Sequence, residues 1–66
     1  MILTINGEPA TWQEATTLDE VVRAVTSSQR GVAVSVDRVV VPRSAWASTR
    51  LVEGAAVEVL VAAAGG

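Results

Sequence analysis

One stretch of this chain has the apolar spacing of a helix, and stretches with the spacing of strands lie on both sides of it. The helical stretch, residues 17–29, begins with a capping box. In this motif the Thr17 hydroxyl accepts a hydrogen bond from the Glu20 backbone N–H and the Glu20 side chain reaches back. Its apolar residues recur along one face: Leu18, Val21, Val22 and Val25. A single helix covers one face of a sheet, so the sequence predicts an α+β fold whose other sheet face meets solvent or a partner.

Residues 1–12 have the pattern of a hairpin. Period-2 alternation predicts a strand over residues 1–6, and the Asn6–Gly7 pair tolerates the positive φ angles that a tight hairpin turn requires. Residues 8–12 would form the returning strand. Pro9 has no N–H to donate to a neighbouring strand, which predicts that the returning strand lies at an edge of the sheet.

Two more strands are predicted directly after the helix. Branched residues predict strands over residues 32–36 and 39–41, and Asp37–Arg38 would form the short turn between them. Pro42 is expected to close the second of these strands, because it cannot continue the hydrogen-bond ladder.

The last third of the chain predicts a short helical turn and a final strand. Residues 44–47 are expected to form a single helical turn capped by Ser44. After a turn at Gly54, residues 57–61 alternate as a strand, in which Glu58 would point away from the core. The whole pattern predicts a mixed sheet of four to five strands with one main helix on one face.

The composition indicates how the core is built. Half of the residues are hydrophobic but only 3% are aromatic, and the chain contains thirteen Val and eleven Ala. The core must therefore be packed from small and branched side chains. No internal repeat or linker divides the chain, so we expect one domain over residues 1–61 and a flexible C-terminal tail over residues 62–66.

The missing residue types exclude most side-chain chemistry. The chain has no His, no Cys and no Lys. It therefore lacks an imidazole base, a thiol nucleophile and a Schiff-base amine, and no base is available to activate its Ser and Thr hydroxyls. None of the seven Asp and Glu residues has a metal-ligand spacing backed by His or Cys, so we expect no metal site and no catalytic residue.

Charge and hydropathy argue against nucleic-acid and membrane partners. The formal net charge is −2, whereas a nucleic-acid-binding domain normally carries a basic patch. The longest apolar run is interrupted by Glu58 and is too short to span a bilayer. The first residues lack the basic and long apolar regions of a signal peptide. We therefore expect a cytoplasmic protein.

The terminal pair Gly65–Gly66 is the first candidate for chemistry. Residues without Cβ make a thin, pliable thread that can enter a narrow channel of another protein. The terminal carboxyl is an anion at neutral pH and a poor electrophile, so it would need activation by ATP as an acyl-adenylate. The chain has no phosphate-binding loop, so a partner enzyme would have to perform the activation. A frayed, functionless end explains the same two glycines.

Four residues outside the tail are candidates for contacting a partner. Arg43 could pair with a carboxylate of the partner, and Trp46 could anchor an interface. Trp46 is explained more simply by packing of the short helical turn over the core. Val59 and Val61 of the last strand are further candidates, because the mean hydropathy of +0.42 predicts that some apolar surface stays exposed.

Several motifs together resemble one known family, and the likeness covers essentially the whole chain. They are Val41-Pro42-Arg43, Trp46, the turn Leu51-Val52-Glu53-Gly54, the strand Val57-Glu58-Val59-Leu60, and the closing Gly65-Gly66. With these motifs the chain resembles the ThiS family, the sulfur-carrier proteins of thiamine biosynthesis. The resemblance implies the ubiquitin-like β-grasp fold and the role of a carrier rather than an enzyme.

The resemblance also implies partners and a site. An adenylyltransferase related to E1 enzymes would activate the Gly66 carboxylate with ATP, and sulfur that a cysteine desulfurase releases would convert it to a thiocarboxylate. Thiazole synthase would then use that sulfur for the thiazole ring of thiamine. Ala63, Ala64 and Gly65 would thread the tail into these partners. No cofactor would be bound, because the sulfur is carried covalently.

Two other functions remain open at this point, and so does a plain structural domain, since a fold alone does not determine a function. The small subunit of molybdopterin synthase is a second β-grasp sulfur carrier that ends in two glycines, although the Val41-Pro42-Arg43 and Trp46 segment fits the thiamine family better. A ubiquitin-like binding module with an inert tail would instead work through its sheet face. Removal of Gly66 distinguishes the module from a carrier.

Overall fold

The structure is a computed structural model that describes residues 1–28 and 30–62. Within these residues the chain forms five strands, one α-helix and one 3-10 helix. In chain order they are β1 (Ile2–Ile5), β2 (Glu8–Thr11), α1 (Leu18–Val25), β3 (Val32–Val36), β4 (Val39–Val40), the 3-10 helix (Arg43–Ser48) and β5 (Ala56–Val61). The strands form one mixed sheet in the order β2-β1-β5-β3-β4, which confirms the predicted α+β class.

The hairpin of β1 and β2 follows the prediction closely. Asn6 and Gly7 have φ angles of 51° and 83°, as a primed two-residue turn requires. Leu3 lies in the core and Thr4 faces the other side of the sheet, as alternation demands. β2, which contains Pro9, is an edge strand as predicted.

The helix α1 begins as predicted and ends four residues early. The Glu20 N–H donates to the Thr17 hydroxyl at 3.4 Å, and the Thr17 N–H donates to the Glu20 carboxylate at 3.1 Å, which completes the capping box. The prediction of a helix to residue 29 is wrong, because α1 ends at Val25 and Thr26 is extended. The Ser28 N–H donates to the Thr26 hydroxyl at 3.3 Å, so local side-chain bonds replace the helical ones. Val25 is consequently exposed rather than part of the buried stripe.

The segment after the helix differs from the prediction at two boundaries. β4 ends at Val40, one residue earlier than predicted, although the Val41 N–H still donates to the Val34 carbonyl at 2.9 Å. The helical turn is a 3-10 helix that begins at Arg43 after Pro42, and Ser44 forms no capping bond. The Ala45 N–H donates to the Pro42 carbonyl at 2.8 Å, so the backbone itself closes the first turn.

The turn at Gly54 is confirmed and connects to the start of β1. Gly54 has a φ angle of 83°, and its N–H donates to the Ile2 carbonyl at 2.8 Å. The Ile2 N–H in return donates to the Glu53 carboxylate at 3.1 Å. These bonds fix the loop that leads into β5.

The core lies between one face of the sheet and the layer of α1 and the 3-10 helix. Its buried residues alternate along the strands and share the inward side of α1. They are Leu3, Leu18, Val21, Val22, Val34, Trp46, Leu51, Ala55, Val57 and Val59. In residues 1–28 and 30–62, no buried side-chain nitrogen or oxygen lacks a hydrogen-bond partner. In the same part of the chain, no helix is long and apolar enough to cross a membrane.

Replacing Leu3 by Ala tests how much this core contributes to stability. Leu3 is fully buried on the strand beside β5, so we expect Leu3→Ala to lower the free energy of unfolding by about 2–5 kcal/mol. Leu60→Ala is the matched control, because the same change at an exposed strand position should cost under about 1 kcal/mol. Urea unfolding measures both, and equal losses would contradict the assignment of Leu3 to the core.

Candidate functional site

The strand β5 leads into the predicted tail and lies in the middle of the sheet. It pairs in parallel with β1, with Thr4 opposite Ala56, and in antiparallel fashion with β3 along its length. The last described bond is from the Ala62 N–H to the Gly31 carbonyl, at 2.8 Å. The backbone is therefore held in the sheet as far as residue 62, the first residue of the predicted tail.

Two turn residues hold β5 through their side chains. Asn6 Oδ1 accepts from the Val59 N–H at 2.8 Å, and Asn6 Nδ2 donates to the Val59 carbonyl at 3.3 Å. Asp37 Oδ1 accepts from the Ala56 N–H at 3.0 Å, and the Asp37 N–H donates to the Ala56 carbonyl at 2.8 Å. Sequence reasoning placed both turns but missed these contacts. The signal available in the sequence was that Asn6 and Asp37 each open a predicted two-residue turn. In the structure both residues have a φ angle near 50°.

The sheet face away from α1 carries exposed apolar side chains. We call Ala33, Ser35, Val40, Glu58 and Leu60 the outer face. Residues that lie directly opposite each other on paired strands share a face, and the register pairs Ala33 with Leu60 and Ser35 with both Val40 and Glu58. The side chains of Val40 and Leu60 are 74% and 69% exposed. An apolar patch therefore lies on β5 and on the strands beside it, next to the point where β5 ends.

The outer face is concave and carries one unpaired negative charge. The five residues, together with Val34, line a groove of about 150 Å³. The Ser35 hydroxyl lies 3.5 Å from the Glu58 carboxylate. Among the described residues the ion pairs join Met1 to Glu14 and Arg23 to Asp19, so Glu58 forms no ion pair there, although Arg38 and Glu58 line the same neighbouring pocket. An apolar groove with a free carboxylate fits a surface of opposite shape that carries a cation.

The four predicted partner contacts fall in different places. Trp46 is 2% exposed and its indole N–H donates to the Val41 carbonyl at 2.9 Å, so its ring belongs to the core. Val59 is 5% exposed and also lies in the core. The burial of Trp46 confirms the simpler explanation that its ring packs in the core, and both Trp46 and Val59 are corrected as candidate contact residues. Arg43, at the start of the 3-10 helix, and Val61, at the end of β5, are exposed.

The predicted chemical site itself lies outside the described residues. Gly66, the predicted point of adenylation, is outside the described residues, and so are the predicted threading residues Ala63, Ala64 and Gly65. In residues 1–28 and 30–62, no group of three or more His, Cys, Asp or Glu side chains is placed to hold a metal ion. The described part of the site is therefore a rigid strand, β5, with an apolar surface beside its end.

Comparison with solved structures supports the predicted fold. The crystal structure of a thiamine biosynthesis protein (ThiS) from Geobacter metallireducens matches with 35% sequence identity and a TM-score of 0.81, and the match covers 100% of both chains. The NMR solution structure of a thiamine biosynthesis protein from the same organism matches with the same identity and TM-score, over 100% of this chain and 88% of the other. The predicted β-grasp fold is confirmed by this likeness.

Comparison at the level of sequence families covers almost the whole chain. A search of curated proteins found no match. The model of the ThiS family matches residues 3–66, a range that includes every motif on which the predicted resemblance rests. The resemblance is thereby confirmed, and the chain belongs to the ThiS family.

Proposed function

We propose that this protein is a sulfur carrier of thiamine biosynthesis, which carries sulfur as a thiocarboxylate on Gly66 and is not itself an enzyme. The observation that carries the proposal is the family match over residues 3–66, because it extends through the terminal pair Gly65–Gly66. The absence of His, Cys and Lys supports the same role. A carrier needs no side-chain nucleophile, since its reacting atom is the terminal carboxyl carbon.

The proposed chemistry has three steps, each performed by a partner. An adenylyltransferase joins the Gly66 carboxylate to the AMP moiety of ATP, and pyrophosphate leaves. A persulfide that a cysteine desulfurase has formed on a partner Cys then attacks the activated carboxyl carbon, and AMP leaves. A thiol reductant supplies two electrons to cleave the resulting acyl disulfide, and a thiocarboxylate remains. Thiazole synthase takes this sulfur for the thiazole moiety of thiamine. The carrier binds no cofactor, because ATP is bound by the partner and the sulfur is held covalently.

We assign the outer face to the adenylyltransferase as its docking surface. Two observations support this assignment. Leu60 is on β5, two residues before Ala62, so a partner that covers Leu60 is next to the root of the tail. The Glu58 carboxylate, which forms no ion pair among the described residues, lines the groove, and this favours a partner surface with apolar side chains and a cation. The predicted contacts of Val61 and Arg43 lie outside this docking surface, because Val61 alternates with Leu60 along β5 and Arg43 begins the 3-10 helix on the other side of the sheet.

The terminal chemistry is tested by incubating the protein with ATP, the adenylyltransferase and a sulfur source. Intact-protein mass spectrometry should show the mass change of one oxygen replaced by sulfur, located on Gly66. A variant with one residue appended after Gly66 should remain unmodified, because Gly66 would then no longer carry the terminal carboxylate that the adenylyltransferase activates.

Several outcomes would contradict this role. Sulfur on any other residue, or equal modification of the extended variant, would refute a terminal acyl donor. A binding module with an inert tail would keep its partner function after deletion of Gly66, whereas a carrier loses it. Sulfur transfer to a pterin precursor in place of a thiazole precursor would favour the molybdopterin-type carrier.

The docking surface is tested by Leu60→Ala in the adenylation assay. The large exposed side chain of Leu60 lies in the groove, so its loss should raise the KM for the carrier roughly ten-fold, corresponding to about 1.4 kcal/mol, while kcat stays unchanged. Val25→Ala is the control, since Val25 is exposed on α1, on the opposite side of the sheet. Equal KM values for the two variants would remove the outer face as the docking surface.

A further inference from the structure

The side chain of Asn6 is held by a residue 53 positions away. Its amide oxygen accepts from the Val59 N–H and its amide nitrogen donates to the Val59 carbonyl. This pair of bonds continues the contact of β1 with β5 by one step after β1 itself has ended at Ile5. Both backbone hydrogen bonds of Val59 to position 6 therefore require an intact carboxamide, because this group accepts one bond and donates the other.

The residue after Asn6 makes this carboxamide chemically vulnerable. Gly7 has no side chain to crowd the approach of the Asn6 side chain to its backbone nitrogen, and a Cβ built on it would meet no atom within 4 Å. That nitrogen can lose its proton and form a bond to Cγ of Asn6. The bond from Cγ to Nδ2 then breaks, and Nδ2 leaves as ammonia. Water opens the resulting succinimide ring to give aspartate or isoaspartate, with no change of oxidation state.

We propose that Asn6 is a site of spontaneous deamidation that is coupled to the release of its side chain from β5. To reach the Gly7 nitrogen, the Asn6 side chain must rotate away from Val59 and give up both bonds. The left-handed backbone at Asn6, with a φ angle of 51°, belongs to the same closed arrangement. The reaction therefore proceeds only in molecules in which the contact of Asn6 with β5 has opened.

The second turn shows why the product would weaken the sheet. Asp37 occupies the matching position with a φ angle of 50°, but its carboxylate only accepts a bond, and its backbone N–H supplies the donor to Ala56. At position 6 the side chain supplies both the acceptor and the donor for Val59. Deamidation would replace Nδ2 by an oxygen that faces the Val59 carbonyl, so a donor–acceptor contact becomes a repulsion between two acceptors. Asp is thus compatible with the Asp37 site and not with the Asn6 site.

The coupling is tested by the rate of deamidation at neutral pH, measured by intact mass and peptide mapping. We expect the native protein to deamidate roughly ten-fold slower than the protein unfolded in urea, because the two bonds to Val59 hold the Asn6 side chain away from the Gly7 nitrogen only in the folded state. Val59→Ala, which leaves a void beside the contact, should deamidate faster than the native protein. Leu60→Ala, next to it on the exposed side, should not.

Two results would overturn the coupling. One is a native rate equal to the rate in urea. The other is a rate for Val59→Ala that equals the native rate. Because Val59→Ala could also unfold the protein, the native chain is measured across a series of urea concentrations below its unfolding midpoint. A rate that does not rise with the fraction of opened molecules would contradict the proposal independently of the variant.

The predicted loss of stability after deamidation is tested by replacing the amide with an acid at position 6 and the acid with an amide at position 37. Asn6→Asp reproduces one deamidation product and should lower the urea midpoint of unfolding, since it loses the donor to Val59. Asp37→Asn keeps an acceptor for the Ala56 N–H and should leave the midpoint unchanged. An unchanged midpoint for Asn6→Asp, or an equal loss in both variants, would refute the role assigned to the Asn6 carboxamide.

Discussion

The backbone pairing of β5 with two strands that are far from it in sequence holds the sheet together. β5 pairs with β1 near residue 4 and with β3 near residue 34. The long chain segments that separate β5 from these two strands must therefore fold back before the centre of the sheet can form. The entropy of closing these loops is offset by ladder bonds and by burial of Val57 and Val59. Asn6 and Asp37 reinforce the same strand from both sides. The last strand before the tail is thereby hydrogen-bonded along both of its edges.

The single helix divides the sheet into two unequal faces. α1 and the 3-10 helix cover one face and bury the core, including Trp46. The strands alternate, so every second residue of β5 and β3 lies on the outer face, where nothing in the described part of the chain covers Leu60 and Val40. One strand thus contributes core residues through one side and a contact surface through the other. This arrangement places the proposed docking surface beside the segment that leads to Gly66.

Local features could be predicted from the sequence with good accuracy. The capping box of Thr17 and Glu20 and the turn at Asn6–Gly7 depend on residues that are three positions apart or adjacent. The end of the helix was less predictable, because the apolar spacing that includes Val25 competes with the local bonds of Thr26 and the serines after it. The choice between core and interface for Trp46 could not be made from its neighbours. It depended on the Val41 carbonyl and on the side chains that pack around the ring.

The sequence by itself determined the order of the strands and the helix along the chain and the positions of the turns. It also excluded most side-chain chemistry and, through its motifs, indicated the family. Each of these follows from residue types or from spacings of a few positions. Only the tertiary structure decided which exposed valine and leucine side chains share a surface, and that the Asn6 amide binds Val59. Those facts depend on strand register and on contacts across 53 positions. The registers are selected by the packing of the whole core, and no local pattern records them.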